Sequence, residues 1–115
     1  KIVRITGKRT KMVVKSDNEQ IDPVGVFVGH RGDRINTILS LLNGEKIDII
    51  EDTGDPVRLV MDVLRPAKVI SVNMEEEEGK IYVQVPEDQK ALAIGKGAVN
   101  IKLAGQIVGQ RIELV

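Results

Sequence analysis

Apolar positions along the chain follow two periods. Ile35, Ile38, Leu39 and Leu42, and again Val57, Val60, Met61 and Leu64, recur at i, i+3, i+4 and i+7, the spacing of a helix with one apolar face. Ile81, Val83 and Val85 alternate with Tyr82 and Gln84, the period of a half-buried strand. Strands are expected near Met12–Lys15, Ile47–Ile50, Val69–Met74, Ile81–Val85 and Ile112–Val115. Asp22-Pro23 and Asp55-Pro56 each place an N-capping carboxylate before a proline suited to the first helical turn. Asn43-Gly44 and Gly109 supply the left-handed residues that commonly end helices, and Glu75 to Gly79 reads as a solvated hairpin loop.

The pattern is written twice. Asp22 to Ile50 aligns with Asp88 to Val115: Val28-Gly29 falls on Ile94-Gly95, Ile35 on Ile101, Ile38 on Ala104 and Leu42 on Val108. After a one-residue shift, Gly44 falls on Gly109, and Ile47 and Ile49 fall on Ile112 and Leu114. The predicted order is strand, strand, helix, helix, strand, then helix, strand, strand, helix, helix, strand. This divides the chain into modules at 1–52 and 53–115. Modules this small bury little of their surface alone, and the connection Asp52-Thr53-Gly54-Asp55 is short. The two are therefore expected to pack as one body through the helix at Pro56–Leu64. Lys1 opens the chain without a methionine, so a piece of a longer protein is expected.

Gly29-His30-Arg31-Gly32 lies between two predicted helices. Glycine lets a ligand approach the main chain, and the free amides at the start of the next helix favour an anion. With His30, Arg31 and Arg34 alongside, this suits a phosphodiester backbone. A lone loop of this kind would be an ordinary turn, but the second copy repeats it at Gly95-Lys96-Gly97-Ala98.

Composition narrows the chemistry. The 17 basic residues balance the 17 acidic ones, so any nucleic-acid site must be a local groove rather than a basic face. With only Phe27 and Tyr82 as aromatics, a stacking platform of the RRM or single-strand OB type, which needs several, is not expected. There is no cysteine, hence neither disulfide nor thiolate chemistry, and His30 is the single histidine, so no metal site is expected. Gly95-Lys96-Gly97 lacks the spacing of a nucleotide-hydrolysing loop, and no nucleophile is paired with a base; the chain reads as non-enzymatic, with no cofactor. Arg31-Gly32-Asp33 is a by-product of the loop, and Glu75–Glu78 a solvated charge run. Lys8, Arg9, Lys11 and Lys15 read first as edge-strand protection and second as an RNA or polymerase contact.

The loops framed by these elements resemble KH domains, whose GXXG loop clamps about four nucleotides, and their order is similar to the type II variant. RTKMVV, DPVGVFVG, LNGEKIDII, LRPAKV, VPEDQ and ALAIGK resemble the paired KH domains of the bacterial NusA transcription factors over nearly the whole chain. The resemblance implies an α/β (α+β) fold with two tandem type II KH domains, each a three-stranded sheet with helices on one face. It implies binding of single-stranded nascent RNA by Gly29, His30, Arg31, Gly32, Arg34 and Ile35 in the first copy. In the second it implies Gly95, Lys96, Gly97, Ala98, Val99, Asn100 and Lys102. Ile35 and Val99 are expected in an apolar groove wall that seats bases, between the loop-proximal helices and the third strand. It further implies a cytoplasmic setting, contact with RNA polymerase through the parent protein, effects on pausing, termination and antitermination, and a monomeric fragment off the membrane. Lys1–Thr6 would continue from an OB-like domain. Ala98 departs from the family pattern, which has glycine there. The rival reading is a protein-interaction module on the same scaffold with RNA binding weakened or lost.

Overall fold

The computed structural model describes residues 1–15, 22–28, 45–75 and 79–115. The first half holds β1 (Ile2–Ile5), β2 (Arg9–Val14), α1 (Pro23–Val28) and β3 (Lys46–Glu51). The second holds α2 (Pro56–Val63), β4 (Ser71–Glu75), β5 (Lys80–Gln84), α3 (Lys90–Ile94), α4 (Val99–Val108) and β6 (Arg111–Leu114). Each half forms a three-stranded sheet of one design: an antiparallel pair, then a third strand that lies parallel to the second. In the first sheet Ile2 faces Met12 across β1 and β2, and Thr10 faces Ile47 across β2 and β3. In the second, Val72 faces Val83 and Ile81 faces Ile112. The internal repeat is thus a repeat of topology.

The capping signals act as expected. Asp55 Oδ1 accepts from the amides of Val57 and Arg58 at 3.0 and 3.4 Å, and Asp22 Oδ1 from those of Val24 and Gly25, both at 3.1 Å. Gly109 ends α4 at φ 72°, donating its amide to the Gly105 carbonyl at 2.9 Å. Asn43-Gly44 and the stripe Ile35, Ile38, Leu39 and Leu42 lie outside the described residues.

Three expectations need correcting. First, β2 begins at Arg9, three residues before the apolar run, because its polar side chains find internal partners: Thr10 hydroxyl donates to Glu45, and Arg9 and Lys11 pair with Asp48. Second, β2 is the central strand, so its basic residues do not protect an edge. Lys11 is fully buried. Third, the inner stripe of α2 is Val60, Val63 and Leu64, while Val57 stands 40% exposed.

One core runs through both halves. Ile50 from β3 packs in the same cluster as Val60, Val63 and Leu64 of the α2 region, Ile81 and Val83 of β5, Ala104 and Ile107 of α4, and Ile112 of β6. Burying one such aliphatic side chain stabilises the fold by about 1.5–3 kcal/mol. The contact between halves is wider than α2, because α4 also lies against β1 and β2. Polar bonds fix this seam. Lys1 Nζ donates to the carbonyls of Gln106 and Ile107 at 2.9 and 3.0 Å, near the negative end of the α4 dipole. Lys11 Nζ reaches the Arg65 carbonyl at 3.0 Å and Asp48 Oδ2 at 2.8 Å. Burial pushes the Lys11 ammonium pKa down, and the bond to Asp48 works against that shift.

Candidate nucleic-acid interface

The first loop and its neighbours, Gly29, His30, Arg31, Gly32, Arg34 and Ile35, lie outside the described residues. The second loop is fully described and can be built from its backbone. α3 ends at Gly95, whose amide donates to the Ala91 carbonyl at 2.9 Å. Gly95 stands at φ 78°, ψ 165°, a region open essentially to glycine alone. A Cβ there would also meet the Asn100 Cβ at 2.8 Å and the Asn100 backbone nitrogen at 2.9 Å. The chain then passes through Gly97 at φ 66°, ψ 21° and Ala98 at φ 62°, ψ 20° before α4 starts at Val99.

Ala98 therefore precedes the helix in a left-handed conformation, and it is the single non-glycine residue with positive φ among those described. This gives a physical reason for glycine in the family pattern: a Cβ is strained here. Among the described residues, no acceptor takes the amides of Lys96 or Gly97. They sit at the positive end of the α4 dipole, a natural anion site.

Asn100 does not flank this loop on the outside. It is 1% exposed, and its Nδ2 donates to the carbonyls of Leu64 and Ala93, both at 3.0 Å, and Leu92 at 3.3 Å. It ties the end of α3 and the end of the α2 region to the start of α4, directly behind Gly95. Its Oδ1 is buried and accepts no hydrogen bond among the described residues.

Two cavities open on either side of the loop. A groove of about 820 Å³ runs between α4 and β6, lined by Ala98, Ile101, Lys102, Gly105, Gln106 and Arg111 among others. A Cβ at Gly105 would stand 3.1 Å from the Gln110 carbonyl, a tight backbone contact that glycine avoids. The second cavity, about 280 Å³, lies on the seam between the halves, lined by Lys8, Arg9 and Lys46 from the first and Gly95, Lys96 and Val99 from the second. Val99, expected in the groove wall, thus faces the seam, and Ile101 takes the groove position. That matches the internal repeat, in which the counterpart of Ile35 is Ile101. Lys96 borders the seam, Lys102 the groove, and Gly97 is exposed. No carboxylate lines either cavity among the described residues.

Carboxylates close to the seam are already engaged. Glu45 accepts from Arg4 Nε at 2.9 Å, from the Gly7 amide at 2.8 Å and from the Thr10 hydroxyl. The Arg4 bond, then the Thr10 bond, lower its pKa to about 2. Asp48 is taken by Arg9 and Lys11. Glu45 thereby pins the β1–β2 turn that carries Lys8. Sequence reasoning missed Glu45, Lys46, Gln106 and Arg111. Of these, Glu45 and Lys46 were visible in LNGEKIDII, but nothing local shows what they face.

Two three-stranded sheets of the same antiparallel-then-parallel design, with a glycine loop between α3 and α4 and a groove between α4 and the parallel strand β6 in the second half, define a tandem pair of type II KH domains. The chain belongs to the NusA-like KH family: residues 1–52 match the NusA-like first KH domain and residues 56–115 the NusA-like second KH domain. It is 44% identical to the transcription termination/antitermination protein NusA of Halalkalibacterium halodurans over 98% of its own length, and 42% identical to that of Bacillus subtilis over the same share. It spans 30% of the length of each of these relatives. The crystal structure of APE1850 is similar to the whole pair, with a TM-score of 0.68 at 28% identity, over 94% of this chain and 79% of that one.

Proposed function

We propose that the chain is the single-stranded RNA-binding segment of a transcription termination/antitermination factor, and that it works by binding rather than by catalysis. The carrying observation is the second loop, where the unengaged amides of Lys96 and Gly97 precede α4 beside the Lys96 and Lys102 side chains, with no carboxylate in either adjoining cavity among the described residues. A phosphodiester backbone satisfies such donors, and the α4–β6 groove, with Ile101 and Ile112 in its lining, has room for bases. Gly95, Lys96, Gly97, Ala98 and Lys102 hold the backbone, and Asn100 acts behind them as a positioning residue. By the repeat, Gly29, His30, Arg31, Gly32, Arg34 and Ile35 do the same in the first copy. The parent protein brings nascent RNA and RNA polymerase together in the cytoplasm, and the segment itself is monomeric. Titration with a single-stranded RNA at several salt concentrations tests this. Binding should weaken linearly in log salt with a slope of about −0.7 per phosphate contact. A protein-interaction module without RNA binding would show no saturable titration.

A further inference from the structure

The seam cavity holds a cluster that the KH loop alone does not explain. Lys8 and Lys46 come from the first module, on the β1–β2 turn and at the start of β3, yet they line the same cavity as Gly95 and Lys96 of the second module. The two positions are coupled in the sheet, because the Lys46 amide donates to the Lys8 carbonyl. Among the described residues Lys8, Lys46 and Lys96 form no ion pair. The two acidic groups beside them cannot neutralise them. Glu45 is committed to Arg4, Gly7 and Thr10, and Asp48 to Arg9 and Lys11. Three like charges bordering one cavity in a chain of zero net charge repel one another unless an anion joins them. Glu45 also holds the turn in place, so Lys8 is presented by a braced backbone rather than a loose loop.

We propose that the first module completes the phosphate site of the second: Lys8 and Lys46, with Lys96, grip a phosphodiester of the RNA strand held at Gly95–Ala98. This rests on the RNA-binding reading above and adds that the second loop works fully only in the tandem pair. The first module then touches RNA outside its own glycine loop.

The test uses the 115-residue chain, a fluorescent single-stranded RNA pool of random sequence about twelve nucleotides long, and anisotropy titrations at two salt concentrations. Lys8→Gln/Lys46→Gln is compared with Lys96→Gln and with Lys68→Gln, an exposed lysine outside both cavities. Circular dichroism checks that each variant is folded. The double variant should bind about tenfold more weakly at low salt, with a salt slope shallower by about 0.7 for the lost phosphate contact. Adding Lys96→Gln to it should cost less than Lys96→Gln does alone, because one phosphate is shared. If the double variant binds with unchanged affinity and slope while Lys96→Gln weakens binding, the first module makes no such contact and the RNA reading survives. Equal weakening by Lys68→Gln would also overturn the proposal, because the effect would then be general charge. If the unaltered chain binds no RNA, the RNA reading itself falls and takes this inference with it.

Discussion

Replacing Ala98 by glycine isolates one backbone decision. Ala98 sits at φ 62°, ψ 20°, one residue before α4. An L-residue in this left-handed well is strained by about 1–2 kcal/mol, which glycine escapes. Against that, glycine widens the unfolded ensemble and gives back about 0.4–1 kcal/mol. Ala98→Gly should therefore stabilise the chain by about 0.5–1 kcal/mol, which for a domain of this length raises Tm by roughly 2–4 °C. Gly97→Ala is the mirror experiment. Gly97 stands at φ 66° with nothing within 4 Å of where a Cβ would sit, so its loss should come from strain alone and be of similar size and opposite sign. Urea titration followed by far-ultraviolet circular dichroism measures both, with the midpoint moving and the slope unchanged. RNA affinity of Ala98→Gly should hold or rise. Had Ala98 been the first residue of the helix, the same change would lower stability by about 1 kcal/mol. A loss of that size refutes the left-handed assignment.

The remaining expectations concern the frame around the loop. Gly95→Ala should destabilise the fold by about 2–4 kcal/mol, since backbone strain adds to a clash with Asn100, and thermal melts should show it before any RNA is added. Glu45 has its pKa lowered to about 2 from 4.5, so its contribution to stability is complete above about pH 4.5 and is lost as pH falls towards 2. Glu45→Gln should flatten that part of the stability–pH profile, and an unchanged profile would mean that Glu45 does not carry it. Ile50 lies in the core shared by both modules, so Ile50→Ala should cost about 2–5 kcal/mol and lower a single unfolding transition. Two separate transitions would show that the modules fold independently.

How far the sequence reached differs between the fold and the site. Periodicity, caps and the internal repeat specify helices and strands locally, because the 3.6- and 2-residue periods and the Asp-Pro starts act over a few residues. That is why Asp22, Asp55 and Gly109 behave as read, and why two copies of one topology were legible without coordinates. The extent of β2 was not legible, since Arg9, Thr10 and Lys11 look like solvent-facing residues. Only Asp48 and Glu45, more than thirty residues away in sequence, make a polar central strand tolerable. The loop was recognisable as a loop, but its geometry was not. Whether Ala98 begins a helix or precedes it at positive φ depends on where α4 docks against β1 and β2, and whether Asn100 faces out or in depends on the carbonyls of Leu64, Leu92 and Ala93 meeting behind Gly95. The seam cavity is wholly a tertiary product. Lys8, Lys46 and Lys96 share no local motif, and they become neighbours because one hydrophobic core, with Ile50 in it, packs the first sheet onto the second module's helices.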